Sequence, residues 1–562
     1  MVPQMQATHP SKNLNPNPTK TYLRFRRSLK KLDRVAVILS AAVWLALAPF
    51  VSAQAPACSP IVGDTPTPNT PLNDLGKNTY SNPNSTATPA QGGLYPNGYN
   101  QRPNPYNAVG INLTTDPNGI VPRDTTGKPD NTSGKIVMIS IGMCNSSMEF
   151  GGTLDGTTAH DGFQCRVMGN KHPDNNMNCS SAPCDLAAGN WKNPKLFVWD
   201  CAQSGQDAKD WACPTAAACP TASPFPNQNP WDQLDCRLTA AGLSKKQVQV
   251  VWLKEALAQP SLYGGWPEHV NQLQTYLEQI LGHLVDPAYG FVDPHNVPTV
   301  KMVFLSPRTR AWTNGTISPH SPEPYAYETG FADKWLIQEK IQGAHPEWPW
   351  LCWGPYTWVD GDRPRSDGQT WGSSYLKPDC THPLSSTGVH TVADQLLAFF
   401  KTDPVARPWF LKSTTSAFTV SVTTNDPDHN NIINAGDSLT FTATANPGPG
   451  RSIVEYVWTY DDGCYGTGPQ PQSQVTKSFP APSFNGLNGS PYQVHVTAID
   501  DAGNAGFTTV PITVLPVGGR PGPGMDTKHR AAKSSAPKQG AARKAKKGEL
   551  TKGAPQTVSN NH

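Results

Sequence analysis

Near residue 416 the chain changes its hydrophobic rhythm, and the change writes two architectures into one sequence. From about 133 to 411, continuous apolar runs ("KIVMISI", "KLFVWD", "QVQVVWL", "VKMVFLS") alternate with stretches whose apolar residues recur every three or four positions. Uninterrupted runs suit strands buried on both faces, and the three-four spacing suits helices packed on them. Val270, Leu273, Leu277, Ile280, Leu281 and Leu284 predict a helix over 267–285; Val392, Leu396, Phe399 and Phe400 predict another over 388–401. The alternation predicts a three-layer α/β domain with a parallel sheet over 133–411, its chemistry at the carboxyl ends of the strands. Beyond 416, "AFTVSVTT", "DSLTFTATA", "EYVWTY", "YQVHVTAID" and "FTTVPITV" alternate with period two between Gly, Pro and Asn turns. That pattern predicts a small all-β sandwich over 416–515, separate from the first domain.

The flanks read differently. "RFRRSLKKLDR", then "VAVILSAAVWLALAPFV", then the small residues of "VSAQA" form a secretory signal over 1–54, cleaved near Ala53 or Ala55. The alternative is an uncleaved anchor, although the apolar run falls short of the ~20 residues that a span needs. Residues 55–132 are rich in Asn, Pro and Thr without an apolar period, and read as a partly disordered leader or a loose wrap. Residues 519–562 form a basic tail expected to be disordered. Residues 1–34 carry eight Lys/Arg against one acid and 519–562 carry ten against two, so a net charge of +3 conceals an acidic body. Basic charge confined to termini argues against a nucleic-acid-binding fold. The membrane partner is then transient, met through the signal peptide, and the cell surface is the contact open to the last module and the tail.

Twelve cysteines in an exported chain fit an oxidising compartment, secreted, periplasmic or on the cell surface. Cys179/Cys184 and Cys213/Cys219 are spaced for local disulfides, without the histidine partners of a zinc site. Cys144 stands apart, on the turn after "KIVMISIG". It reads either as a thiol nucleophile at a helix start or as half of a disulfide to Cys201 or Cys380. Asp379 and His382, three residues apart on a loop before a helix, could stack a carboxylate against an imidazole base; the other reading is an ordinary capping loop. His390 falls inside the following helical pattern and reads as a solvated or packing histidine.

Four blocks carry a resemblance: Gly142-Met143-Cys144-Asn145 with Glu149-Phe150, "CAQSGQDA", "VQVVWLKEALAQP" and "PDCTHP". In this order, with "PEPYAYETGFADKWLI" and "WGPYTWVDGDRPRSDG", they resemble secreted bacterial members of the SGNH/GDSL hydrolase superfamily across nearly all of 133–411. The resemblance implies a flavodoxin-like SGNH fold, ester hydrolysis without a catalytic cofactor, the nucleophile position at Cys144, Asp379 and His382 as acid and base, and an oxyanion role for Gly205. The chain departs twice from the family pattern. Cys144 replaces its serine, and Leu257 stands near its usual asparagine oxyanion donor. "VEYVWTYDDG" followed by "YQVHVTAIDDAGN" resembles the PKD/immunoglobulin-like modules appended to secreted bacterial enzymes.

Two further features stay open in the sequence. "HPEWPWLCWGPYTW" holds four Trp and one Tyr, either a platform for sugar rings or core packing. "DPDHNNIINAGD" spaces Asp426, Asp428, Asn430 and Asp437 as in a calcium loop, but with Asn431 in place of the turn glycine; the other reading is a polar turn. The sequence therefore points to a secreted esterase-like hydrolase acting on an ester or glycan substrate such as an acetylated glycan. Its rival is a catalytically inactive SGNH-fold surface or glycan-binding protein with Cys144 in a disulfide.

Overall fold

The structure, a computed structural model, describes residues 57–152, 162–171, 179, 182–184, 186–213, 229–412, 418–461, 465–483 and 490–518. The expected signal peptide and basic tail lie outside the described residues, and no helix among the described residues is long and apolar enough to cross a membrane.

The apolar runs of the first domain form five parallel strands: β1 (Ile136–Gly142), β2 (Leu196–Trp199), β3 (Val248–Lys254), β4 (Met302–Leu305) and β5 (Trp350–Trp353). Their order is β2-β1-β3-β4-β5. Both faces of the sheet are covered by α1 (Cys144–Gly151), α2 (Phe163–Met168), α3 (Ala208–Ala212), α4 (Pro230–Ala240), α5 (Glu268–His283), α6 (Tyr325–Ile341) and α7 (His390–Thr402). Alternation along β1 divides the core. Val137, Ile139 and Ile141 pack with Leu277 and Ile280 of α5 and Phe331 of α6. Ile136 and Met138 pack on the other face with Phe150 of α1 and Val392, Leu396 and Phe400 of α7. Full burial of such a Leu, Ile or Phe stabilises by about 1.5–3 kcal/mol each, which is why every residue of β1 and β3 is buried. The chain order reverses around β1, so the carboxyl ends of β1 and β3 are the place where a doubly wound sheet leaves a crevice.

The Asn/Pro/Thr-rich leader differs from the expectation of partial disorder. Its Leu72, Tyr80, Leu94 and Tyr95 are buried in the core with α5 and α6. The Tyr80 hydroxyl donates to Glu328 at 2.7 Å, and the buried Asp64 carboxylate accepts from the Thr313 hydroxyl at 2.6 Å. Cys58 is disulfide-bonded to Cys380. Single apolar anchors and side-chain hydrogen bonds hold this wrap, so no hydrophobic period marks it.

The period-two segment forms β6 (Thr419–Thr424), β7 (Ile432–Asn434), β8 (Ser438–Asn446), β9 (Ile453–Tyr460), β10 (Tyr465–Gln470), β11 (Gln474–Ser478), β12 (Tyr492–Asp500) and β13 (Ala505–Leu515). A three-stranded sheet, β6-β8-β11, faces a mixed five-stranded sheet, β7-β13-β12-β9-β10. Phe441, Trp458, Phe479, Tyr492, Val494 and Val496 fill the space between them. The sandwich is not set apart from the first domain. It rests on α7, where Lys401 pairs with Glu455 at 2.5 Å, the hydroxyls of Thr402 and Thr459 meet at 2.5 Å, and the Thr497 hydroxyl donates to the Lys401 carbonyl.

Candidate active site

Strand β1 turns into α1 at Met143, which makes Cys144 the first helical residue. Gly142 is required at the end of the strand, because a Cβ there would lie 2.3 Å from the Ser146 Oγ and 2.5 Å from the Lys254 carbonyl oxygen. Cys144 keeps its thiol, with Sγ 2.8 Å from His382 Nε2. His382 Nδ1 lies 2.6 Å from Asp379 Oδ2, while the other carboxylate oxygen accepts the backbone N–H groups of Thr381 and His382 at 3.0 and 2.9 Å. The loop is clamped to α1 by the Asn145 amide, which donates to the Thr381 carbonyl at 3.1 Å. Between acid and base, Cys380 takes a left-handed backbone (φ 58°), a conformation that L side chains seldom adopt, and its disulfide to Cys58 ties it to the leader.

The electrostatics follow from this line of atoms. Burial pushes the His382 pKa down, but Cys144 and the Asp379 carboxylate outweigh it and raise it to about 10. Burial pushes Asp379 up, and the hydrogen bond from His382 with the loop N–H groups outweighs that, holding its carboxyl well below the usual carboxylate range. At neutral pH the row therefore holds an imidazolium between the Asp379 carboxylate and the Cys144 sulfur.

Gly205 stands in the loop between β2 and α3 with a left-handed φ of 79°. That loop is fastened to β1 by the Gln203 N–H, which donates to the Gly142 carbonyl at 2.8 Å. Leu257 is buried in the core under α5 and has no donor to offer. The motif residue Glu149, on α1, forms a fully buried pair with Lys254 of β3 at 2.5 Å. Two residues near the thiol escaped the sequence reading. Glu255 is buried just past β3 and interacts with Cys144, and His320 interacts with both His382 and Asp379. Position at a strand's carboxyl end was the signal available for Glu255. His320 sits on a loop that no period marks.

The structure chooses among the open readings and corrects one local disulfide. Cys144 does not bond Cys201 or Cys380, because Cys380 is taken by Cys58 and Cys201 is a buried thiol that burial holds protonated. Cys179 and Cys184 do not pair with each other. A short strand pair, Asn170–Lys171 with Ala182–Pro183, carries Cys184 to Cys165 on α2, and Cys179 reaches Cys236 on α4. Cys213 is disulfide-bonded, and Cys219 lies outside the described residues. The aromatic cluster is core: Trp348, Trp350, Trp353, Tyr356 and Trp358 are all buried. His390 is half exposed and lies 3.5 Å from Asp394.

The calcium spacing closes as a turn. Asp426 accepts the N–H groups of Asp428, Asn430 and Asn431, Asn430 caps Ile432, and Asp437 caps Asn434. Among the described residues no three His, Cys, Asp or Glu side chains are grouped to hold a metal.

No family model and no curated protein matches the chain. Among solved structures, fibronectin(III)-like modules of Clostridium thermocellum CbhA are 18% identical over 19% of this chain and 50% of that one, with a TM-score of 0.13. The Yersinia pseudotuberculosis adhesin InvE is 16% identical over 18% of this chain and 34% of that one, with a TM-score of 0.11. A nucleoside hydrolase-related protein of Saccharophagus degradans, associated with carbohydrate metabolism, is 9% identical over 48% and 71%, with a TM-score of 0.12. The chain spans half or less of the first two, and at these TM-scores none of the three bears on its fold or function.

Proposed function

We propose that the protein is an exported ester hydrolase of SGNH type, with a flavodoxin-like catalytic domain that uses Cys144 as nucleophile, followed by a PKD-like module. The observation that carries this reading is the unbroken row of Cys144 Sγ, His382 and Asp379, with contacts of 2.8 and 2.6 Å. In the reaction the thiolate attacks the acyl carbon, and the carbonyl electron pair moves to oxygen. When the carbonyl re-forms, the ester C–O bond breaks and the leaving alcohol takes the proton from His382. The thioester at Cys144 is then attacked by water, which gives a proton to His382; the acid leaves and the thiolate–imidazolium pair returns. Asp379 holds the ring so that Nε2 faces sulfur throughout. Backbone N–H groups at Cys144 and Gly205 are the donors for the oxyanion.

The substrate is an ester, an acetylated glycan in the reading taken from the SGNH resemblance, met at the cell surface or outside it. The disulfides fit an extracellular protein. A Cys144 thiol 2.8 Å from His382 favours this reading over the inactive surface-protein one, which a Cys144 disulfide would have favoured. The test is hydrolysis of 4-nitrophenyl acetate by the oxidised protein together with mass spectrometry of the acylated enzyme. Release of nitrophenol with an acyl group on Cys144 is expected; a protein that neither turns over nor acylates ends the proposal.

A further inference from the structure

With Leu257 buried, the site as built has backbone donors for an oxyanion and lacks the side-chain donor that an asparagine there would supply. Another buried polar group lies at the same end of the sheet. Lys254, the last residue of β3, pairs in register with Gly142, the last residue of β1, so Glu255 leaves the sheet beside the Met143–Cys144 turn. Glu255 is 3% exposed. Its Oε2 accepts the Ala256 N–H at 3.2 Å, and its Oε1 has no hydrogen-bond partner. A buried carboxyl oxygen without a partner is costly unless something else satisfies it during the working cycle.

The charged groups facing Glu255 have the wrong sign for a carboxylate. They are Asp207 and Asp210 at the start of α3 and Cys144 on α1. The adjacent ammonium, Lys254, is committed to Glu149, and Lys209 lies 3.9 Å from Asp210. The loop that follows Glu255 is held in place by α3: Ala208 N–H donates to the Ala256 carbonyl at 3.0 Å, and Asp207 accepts the Ala258 N–H at 2.9 Å.

We propose that Glu255, as a neutral carboxylic acid, donates a hydrogen bond to the acyl oxygen of the substrate as Cys144 attacks, the part an asparagine at 257 would play. The inference rests on the ester-hydrolase reading and adds a catalytic residue to it. Burial, and then Asp207, push the Glu255 carboxyl well above the usual carboxylate range, in keeping with a protonated donor. A carboxylic acid kept neutral in an apolar site is an effective donor to an oxyanion. Its proton stays on Glu255 throughout the reaction, so it adds no step to the transfers between Cys144, His382 and the leaving group.

The test uses the full oxidised chain and 4-nitrophenyl acetate. Glu255→Leu is expected to lower kcat by about 10²–10³ with KM little changed, and Glu255→Gln, which keeps an N–H donor, to remain within about tenfold of wild type. The infrared difference between wild type and Glu255→Gln at neutral pH is expected to contain the C=O stretch of one protonated carboxylic acid. Wild-type kcat in Glu255→Leu overturns the proposal and leaves the hydrolase reading standing. So does a folded Glu255→Gln as slow as Glu255→Leu. Should Glu255→Leu fail to fold, the infrared band decides: no such band assignable to Glu255 overturns the proposal. A wild type that forms no thioester at Cys144 overturns the hydrolase reading and this one together.

Discussion

At the scale of single residues, the row Cys144–His382–Asp379 makes predictions with definite signs. His382→Ala removes both base and acid, and is expected to lower kcat by about 10²–10⁴. It should also slow alkylation of Cys144 by iodoacetamide at neutral pH, a readout that needs no substrate. Because His382 is raised to about 10, activity on an alkyl ester, whose leaving alkoxide needs a proton, should fall on an alkaline limb near that pH. Asp379→Asn should move the limb toward neutrality, since the carboxylate is one of the groups that raise the imidazole. The same shift acts on stability. His382 is raised above its ordinary 6.5, so the stabilisation it brings is full below that pH and disappears as the pH rises through about 10. The difference in urea midpoint between wild type and His382→Ala, followed from pH 6 to 10, should shrink accordingly. Cys144→Ser is expected to retain weak activity, because a hydroxyl shares the base but sits in a site built around a larger, more acidic sulfur.

Among the elements, what was legible in the sequence depended on burial geometry. Strands β1 and β3 could be read because both faces are buried, which leaves an uninterrupted apolar run. Helix α5 could be read because Val270, Leu273, Leu277, Ile280 and Leu281 share one buried stripe. Asp379 and His382 could be read because "PDCTHP" fits the SGNH resemblance and their spacing is local. The leader could not, since Leu72, Tyr80 and Tyr95 are anchors without a period, and their partners lie hundreds of positions away. The same holds for Glu255, whose neighbourhood is assembled by β3, α1 and α3 together. The link between Cys58 and Cys380 was hidden for that reason too, and it couples the leader to the acid–base loop. Replacing both cysteines by alanine is expected to lower stability by about 2–5 kcal/mol and to slow Cys144 alkylation, as the loop loses its tie. Thermal melting and alkylation kinetics on one preparation would check both.

For the whole molecule, the sandwich and the α/β part share a buried interface and should not behave as beads on a string. Lys401 is 1% and Glu455 15% exposed at the side chain, so Lys401→Met strands a carboxylate in the contact and should cost about 3–5 kcal/mol. Calorimetry of wild type should show one transition for both parts, and the variant a lowered one. The Cys58–Cys380 bond has one more consequence, in the order of synthesis. Its two ends are 322 positions apart, and at ordinary elongation rates of 5–20 residues per second the second arrives between about 15 s and a minute after the first. Throughout that interval the next cysteine to emerge after Cys58 is Cys144. The proposed nucleophile is thus the first thiol that could compete with Cys380 for Cys58, so correct pairing should depend on Cys58 waiting for the later partner.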